Sequence, residues 1–281
     1  MIPVIWWQAS RGNWDHGLLL SIFEKHPELF KQYNTKELYG PFGDETRGII
    51  IVTGRPEIEP LRAFLERFKS GLVILTSEED AYFEWKLAIP GRFEIWTQYW
   101  NAQTKGEIKE RLLIGAPLRI RDYKINRHLE KKYLWSFVGQ VQNPFRQKCV
   151  DILKGLPDGF LRIVDGFGGQ GDGGMDYQEY LDIMCQSKYV ICPAGSMSVD
   201  SFRLYEAMEC GAIPITDMRA PRDNDGTNFW TECYSRNNLI QISEWSQSFI
   251  SELFKQGWLW NNDWWIVYKQ ELEQKLLNIA K

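Results

Sequence analysis

The sequence predicts an α/β chain made of two successive strand-and-helix series, each folding as a doubly wound, Rossmann-like domain. Three observations carry that prediction. Short apolar runs recur with helical spacing between them, which is the pattern of parallel sheets covered on both faces. The series restarts at Tyr133-Leu134-Trp135-Ser136-Phe137-Val138-Gly139, after a polar and locally basic stretch over 105–132. Residues 187–217, SKYVICPAGSMSVDSFRLYEAMECGAIPITD, read as one complete strand–loop–helix–strand unit. The expected bounds are a first domain over 1–130, a second over 131–257, and a terminal helix over 258–281 that packs back on the first.

In the first half, strands are expected at 3–8, 48–54, 72–77, 93–98 and 112–116. A helix over 57–70 follows from the spacing of Ile58, Leu61, Phe64, Leu65 and Phe68, and another over 78–87 takes Ser77 as its cap. The Gly/Pro-rich stretch 35–47 reads as a loop. Two loops could carry chemistry. The first, after the first strand, holds Asp15 beside His16; the second begins Ser77-Glu78-Glu79-Asp80 at the end of the third strand. Asp15, His16, Glu78 and Glu79 are the candidate general bases, although acids at a helix start also complement its dipole.

In the second half, strands are expected at 133–139, 160–165, 189–192, 212–216 and 238–243. Helices are expected at 144–156, 176–185, 201–210 and 244–256. Pro144 suits a first helical position, Ser198 or Asp200 can cap the helix from 201, and Gly211 fits a left-handed terminus. Arg146 and Lys148 oppose the dipole of their own helix start, a local conflict that an anion there would relieve. Arg203 and Glu206 share one helix face. On a solvated face that pair would be worth only about 0.2–0.5 kcal/mol. Beside the carboxyl end of a strand, however, an Arg can grip a diphosphate and a carboxylate can take ribose hydroxyls. Asp200 should then cap and point away. The glycine-rich 166–174 contains a formal G-x-G-x-x-G but opens no helix, so a nicotinamide or flavin fingerprint is rejected and a loop over a cleft is expected.

The bulk composition excludes other classes. The chain has 281 residues, 44% hydrophobic and 25% charged, with net charge −4, so no global basic field draws it to nucleic acid or membrane. Its five cysteines are odd in number and form no C-x-x-C pair, which reads as buried reduced thiols. The three histidines have no metal-ligand spacing, so no metal is expected. Met1 leads directly into Ile2-Pro3-Val4-Ile5-Trp6-Trp7, with no basic leader, and no run approaches the ~20 apolar residues of a membrane span. The expectation is a cytoplasmic protein. The thirteen tryptophans are assigned chiefly to packing, including Trp258, Trp260, Trp264 and Trp265.

Residues 187–217 resemble the exostosin-like glycosyltransferases (glycosyltransferase family 47), through Pro193-Ala194-Gly195, Ser201-Phe202-Arg203-Leu204-Tyr205-Glu206-Ala207 and Gly211-Ala212-Ile213-Pro214. Phe137-Val138-Gly139 followed by Arg146 is a weaker upstream echo, so the resemblance spans about 134–217. It implies a GT-B arrangement of two domains facing a cleft. The second domain would bind a nucleotide sugar, expected to be a uridine diphosphate (UDP) sugar, as co-substrate, and the sugar would pass with inversion to an acceptor hydroxyl on a glycan or small molecule. The implied donor contacts are Gly139, Arg146, Pro193, Gly195, Ser196, Ser198, Ser201, Arg203 and Glu206, with Arg203 also stabilising the leaving diphosphate. Two alternatives stay open: transfer to a modified base in DNA, using the basic 105–132 stretch, and a non-catalytic nucleotide-sugar or carbohydrate-binding module.

Overall fold

The computed structural model describes residues 1–7, 13–34, 46–77, 88–99, 108–141, 143–164, 174–195, 197–219, 228–257 and 263–281. The chain divides into two compact units, Met1–Leu118 with Tyr268–Lys281, and Arg119–Val267.

The first unit runs β1 (Ile2–Trp7), α1 (Gly17–Lys25), β2 (Phe30–Asn34), β3 (Arg47–Thr53), α2 (Ile58–Leu65), β4 (Ser70–Thr76), β5 (Phe93–Thr97) and β6 (Glu110–Arg111). All pairings are parallel and the order is β2-β1-β3-β4-β5-β6. The inner strands IPVIWW, RGIIIVT and SGLVILT are apolar on both faces because both faces are covered, so they carry no alternation. Ile5, Ile50, Val52, Val73 and Leu75 pack with Leu61, Phe64 and Leu65 of α2 in one core.

Four features depart from the sequence expectation. Helix α1 and strand β2 stand where the sequence reading names no element. α1 buries Leu18, Leu19, Leu20, Ile22 and Phe23, a block too nearly continuous to show a clean helical period. β2 (FKQYN) buries only Phe30, as an edge strand with one partner does. Helix α2 ends at Leu65, and by Ser70 the chain is already in β4. The apolar run 112–116 does not form a strand: the paired residues end at Arg111 and the last bond to β5 is from the Leu112 N–H to the Thr97 carbonyl at 2.7 Å, although Leu112, Leu113 and Ile114 are buried. The Leu113 N–H instead donates to the Tyr268 hydroxyl at 2.8 Å. The expected helix 78–87 lies outside the described residues.

The second unit runs β7 (Tyr133–Gly139), α3 (Pro144–Leu153), β8 (Gly159–Ile163), α4 (Tyr177–Cys185), β9 (Ser187–Cys192), α5 (Phe202–Glu209), β10 (Ile213–Asp217), α6 (Phe229–Cys233), β11 (Ile240–Ile242) and α7 (Gln247–Gln256). Its parallel sheet has the order β11-β10-β9-β7-β8. Trp135, Phe137, Tyr189, Ile191, Ile213 and Ile215 form a core with Val150, Leu153, Ile250 and Leu253 from the covering helices. Pro144 opens α3 behind Asn143, whose side chain accepts from the Arg146 N–H at 2.8 Å. Gly211 follows α5 at φ +71°, a left-handed position that favours glycine. The expected cap of α5 is corrected. The N-cap is Ser201 and makes no side-chain cap bond. Ser198 Oγ accepts from the Asp200 N–H at 3.0 Å, and the Asp200 carboxylate is buried, accepting from the Tyr205 hydroxyl at 2.5 Å.

Helix α8 (Asp263–Ala280) closes the chain. Trp265 packs against Tyr205 and donates to Glu209 at 2.9 Å, within the second unit. From Tyr268 onward the helix belongs to the first unit, where Glu273 accepts from Lys25 and pairs with His26 at 2.6 Å. Lys275 pairs there with Glu110 at 2.7 Å. Among the described residues no helix is long and apolar enough to cross a membrane.

Counted within each unit, both sheets start in the middle, place their second strand on one side and wind outward on the other. Each therefore has a topological switch point, between β1 and β3 in one unit and between β7 and β9 in the other. In open parallel sheets ligands bind outside the carboxyl ends of the strands at such points.

The β3–β4 pair sets a packing limit that can be tested. Gly48 and Gly71 are register partners, and a Cβ on Gly71 would stand 2.1 Å from the Gly48 carbonyl oxygen. Because that neighbour is main chain, Gly71→Ala is expected to force the strands apart and to cost about 1–3 kcal/mol. Urea denaturation checks this; an unchanged midpoint contradicts it.

Candidate functional site: a paired-arginine cluster at the switch point of the second sheet

Strand β7 ends at Gly139 and β9 ends at Cys192, leading into Pro193-Ala194-Gly195. Arg203, in the first turn of α5, reaches across to β7. Its Nε donates to the Val138 carbonyl at 3.2 Å, and its guanidinium carbon lies 4.8 Å from the centre of the Phe137 ring. Gly139 is required by this approach, since a Cβ there would lie 2.1 Å from Arg203 Nη2. Arg146, in the first turn of α3, donates from Nε to the Ala194 carbonyl at 3.0 Å and from Nη1 to the Gln140 carbonyl at 3.4 Å.

Both guanidiniums are partly buried, and the hydrogen bonds described here tie them to main-chain carbonyls. Burial, followed by the charge of Arg203, pushes Arg146 down to about 10, although Asp217 acts in the opposite direction. Arg203 Nη1 and Ser201 Oγ are buried with no hydrogen-bond partner. A site with two desolvated like charges and unmet donors is preorganised for an anion.

The turn between β9 and α5 is fixed from below. Asp217, at the end of β10, accepts from the Ala194 N–H at 2.7 Å and from Trp245 Nε1 at 2.7 Å, and burial raises its carboxyl above the ordinary range. The Gly195 N–H donates to the Ser198 carbonyl at 2.8 Å, and the bare Cα of Gly195 leaves room beside Arg146. Pro193 is buried at the strand end. The structure thus brings Gly139, Arg146, Pro193, Gly195 and Arg203 to one place, with Ser198 and Ser201 on the connecting turn. Ser196 lies outside the described residues, as do 166–173 of the glycine-rich loop. Lys148 points elsewhere, pairing with Glu244 at 2.7 Å on the surface.

Glu206 sits one turn along α5 from Arg203 and is 3% exposed. It accepts from the Tyr177 hydroxyl and, at 2.7 Å, from the Tyr180 hydroxyl, both on α4. Burial and the Glu206 charge push both phenols well above their ordinary range, so both remain donors. The roles of Asp217, Tyr177 and Tyr180 could not be read from the sequence. They depend on which elements lie side by side, and an aromatic on an apolar helix looks like core.

In the first unit, Asp15 and His16 are fully buried at the carboxyl ends of β3 and β4. His16 Nε2 lies 3.0 Å from Thr53 Oγ1, 3.1 Å from Thr76 Oγ1 and 3.5 Å from Asp15 Oδ1. Asp15 also accepts from the Ser77 hydroxyl, and its carbonyl accepts from Gln98 Nε2 at 3.1 Å. Ser77 is left-handed at φ +60°, unusual for a residue with a Cβ, and Asn13 reaches its Oγ at 3.4 Å. Glu78 and Glu79 follow immediately and lie outside the described residues.

Desolvation lowers His16 from 6.5 to about 4. Between those values the unfolded chain binds more protons than the folded one, so stability rises with pH. This contribution is complete above about pH 6.5 and is lost as pH falls towards about 4, a span worth roughly 3 kcal/mol. Urea unfolding at about pH 7.5 and about pH 4 should show a loss of that order in the wild type and a clearly smaller one in His16→Gln. Equal losses in the two proteins would contradict the assignment.

Compared with known proteins, residues 118–246 match the family model described as the RXYLT1 C-terminal domain. No curated protein matches the chain. The matched span contains Gly139, Arg146, Arg203, Glu206, Asp217 and both tyrosines. The match supports a glycosyltransferase-like family and does not single out glycosyltransferase family 47.

Proposed function

We propose that the protein is a glycosyltransferase that moves a sugar from a UDP-sugar to an acceptor hydroxyl, with inversion and without a divalent ion. The carrying observation is the pair Arg146 and Arg203, partly buried side by side at a sheet switch point and bound through main-chain carbonyls. The family match to the same span supports the reaction class.

In this reading the diphosphate lies between the two guanidiniums and the turn 193–198. As the bond from the sugar to the diphosphate breaks, negative charge grows on the phosphate oxygen, and Arg203 and Arg146 stabilise it without needing to reorganise. Glu206 faces the ribose: each of its oxygens already accepts one phenol and keeps a second lone pair for a ribose hydroxyl. The acceptor, a glycan or small molecule, is assigned to the first unit in a GT-B arrangement, with the terminal helix returning to that unit. The base that takes the acceptor proton is drawn from Asp15, Glu78 or Glu79. His16, held near 4, is largely neutral at pH 7 but too weakly basic to be the preferred acceptor, and it is assigned to orienting Asp15.

A panel of nucleotide sugars in a thermal-shift measurement tests donor binding, because a ligand specific for the folded state raises the melting temperature. UDP release from the stabilising donor then tests turnover. Arg203→Ala is expected to lower turnover by about 10²–10³-fold while unfolding stays cooperative. Full activity in that variant would refute the site. Donor binding with no release under any acceptor would favour a non-catalytic binding module.

A further inference from the structure

Arg119 lies outside the cluster described above and was read from the sequence only as one of the basic residues of 105–132. In the structure its guanidinium carbon stands 3.8 Å from the centre of the Tyr177 ring, and its Nη2 is 4.0 Å from Glu206 Oε1. Tyr177 is itself closed in. It is 8% exposed, Tyr180 stacks beside it at 5.6 Å, and Tyr123 meets it edge-on at 4.8 Å. No base could therefore stack on the tyrosine. The accessible layer of this stack is Arg119, whose side chain is 39% exposed.

We infer that Arg119, seated on the Tyr177 ring beside Glu206, is the platform on which the nucleobase of the donor stacks. This rests on the proposed nucleotide-sugar function and extends it from the diphosphate to the nucleoside. Arg203 precedes Glu206 by one helical turn, and Arg119 touches the Glu206 cluster, so the chain presents two cations, a carboxylate and a planar cation in the order diphosphate, ribose, base. A guanidinium suits the last position because its plane stacks on an aromatic below while its other face receives one above. Glu206 acts here as a positioning residue as well, since it anchors the Tyr177 hydroxyl under the platform.

The test is calorimetric titration of the full chain with UDP, together with inorganic pyrophosphate measured by competition against UDP. Arg119→Ala should weaken UDP binding by about tenfold or more, the scale of one lost base stack, and leave pyrophosphate binding unchanged. Arg119→Lys keeps the charge without the plane and should not restore UDP affinity. Arg203→Ala, by contrast, should weaken both ligands. The inference is overturned if Arg119→Ala binds UDP like the wild type, if it loses both ligands equally, or if the lysine variant recovers fully. A wild type that binds neither ligand overturns the nucleotide-sugar reading itself, a result separate from the others because in those the wild type still binds UDP.

Discussion

The second unit is organised around a repulsion. Arg146 and Arg203 come from the first turns of two different helices and meet where the sheet changes its winding direction. Their contacts to the Ala194, Gln140 and Val138 carbonyls orient them but supply no formal negative charge. Asp217 is the nearby carboxylate that acts on Arg146, and its oxygens are committed to the Ala194 N–H and the Trp245 indole. Two desolvated like charges held this way are an arrangement that stability alone would not select. An anion placed between them would relieve that repulsion.

The surroundings show what this arrangement requires. Gly139 has no side chain because Arg203 occupies the place of one. The turn after β9 is tied to the end of β10 through Asp217, which couples the Ala194 carbonyl that holds Arg146 to the neighbouring strand. Glu206 is held by two phenols that remain protonated, so its carboxylate keeps its place one turn from Arg203. Precision at such a site comes from the second layer of contacts as much as from the residues that touch a ligand.

The first unit repeats the same winding with different chemistry. At the carboxyl ends of its strands stands a buried polar network of Asp15, His16, Thr53, Thr76 and Ser77. A neutral histidine between two threonine hydroxyls is compatible with deep burial, whereas a protonated one would not be. The low basicity of His16 follows directly, and it separates the two members of a pair that are adjacent in sequence and equally plausible as bases on paper.

Much of the fold could be read locally. Fully apolar runs such as GIIIV and LVIL announce doubly covered strands, Asn143-Pro144 announces a helix start, and Gly211 announces a helix end. These signals depend on neighbouring residues alone. The errors arose where burial and pairing part company. Leu113 and Ile114 are buried apolar residues, yet they leave the ladder, while β2 pairs as an edge strand with little apolar signal. The motif around Arg203 and Glu206 is legible locally because a helix fixes the three-residue spacing between them. The sequence by itself therefore determined the alternating α/β architecture and the turn where charge gathers. Only the tertiary structure decided that Arg146 stands beside Arg203, that Tyr177 and Tyr180 hold Glu206, and that Asp200 points into the core. Those relations join residues distant in sequence, and they are set by strand order and helix packing, which no local pattern encodes.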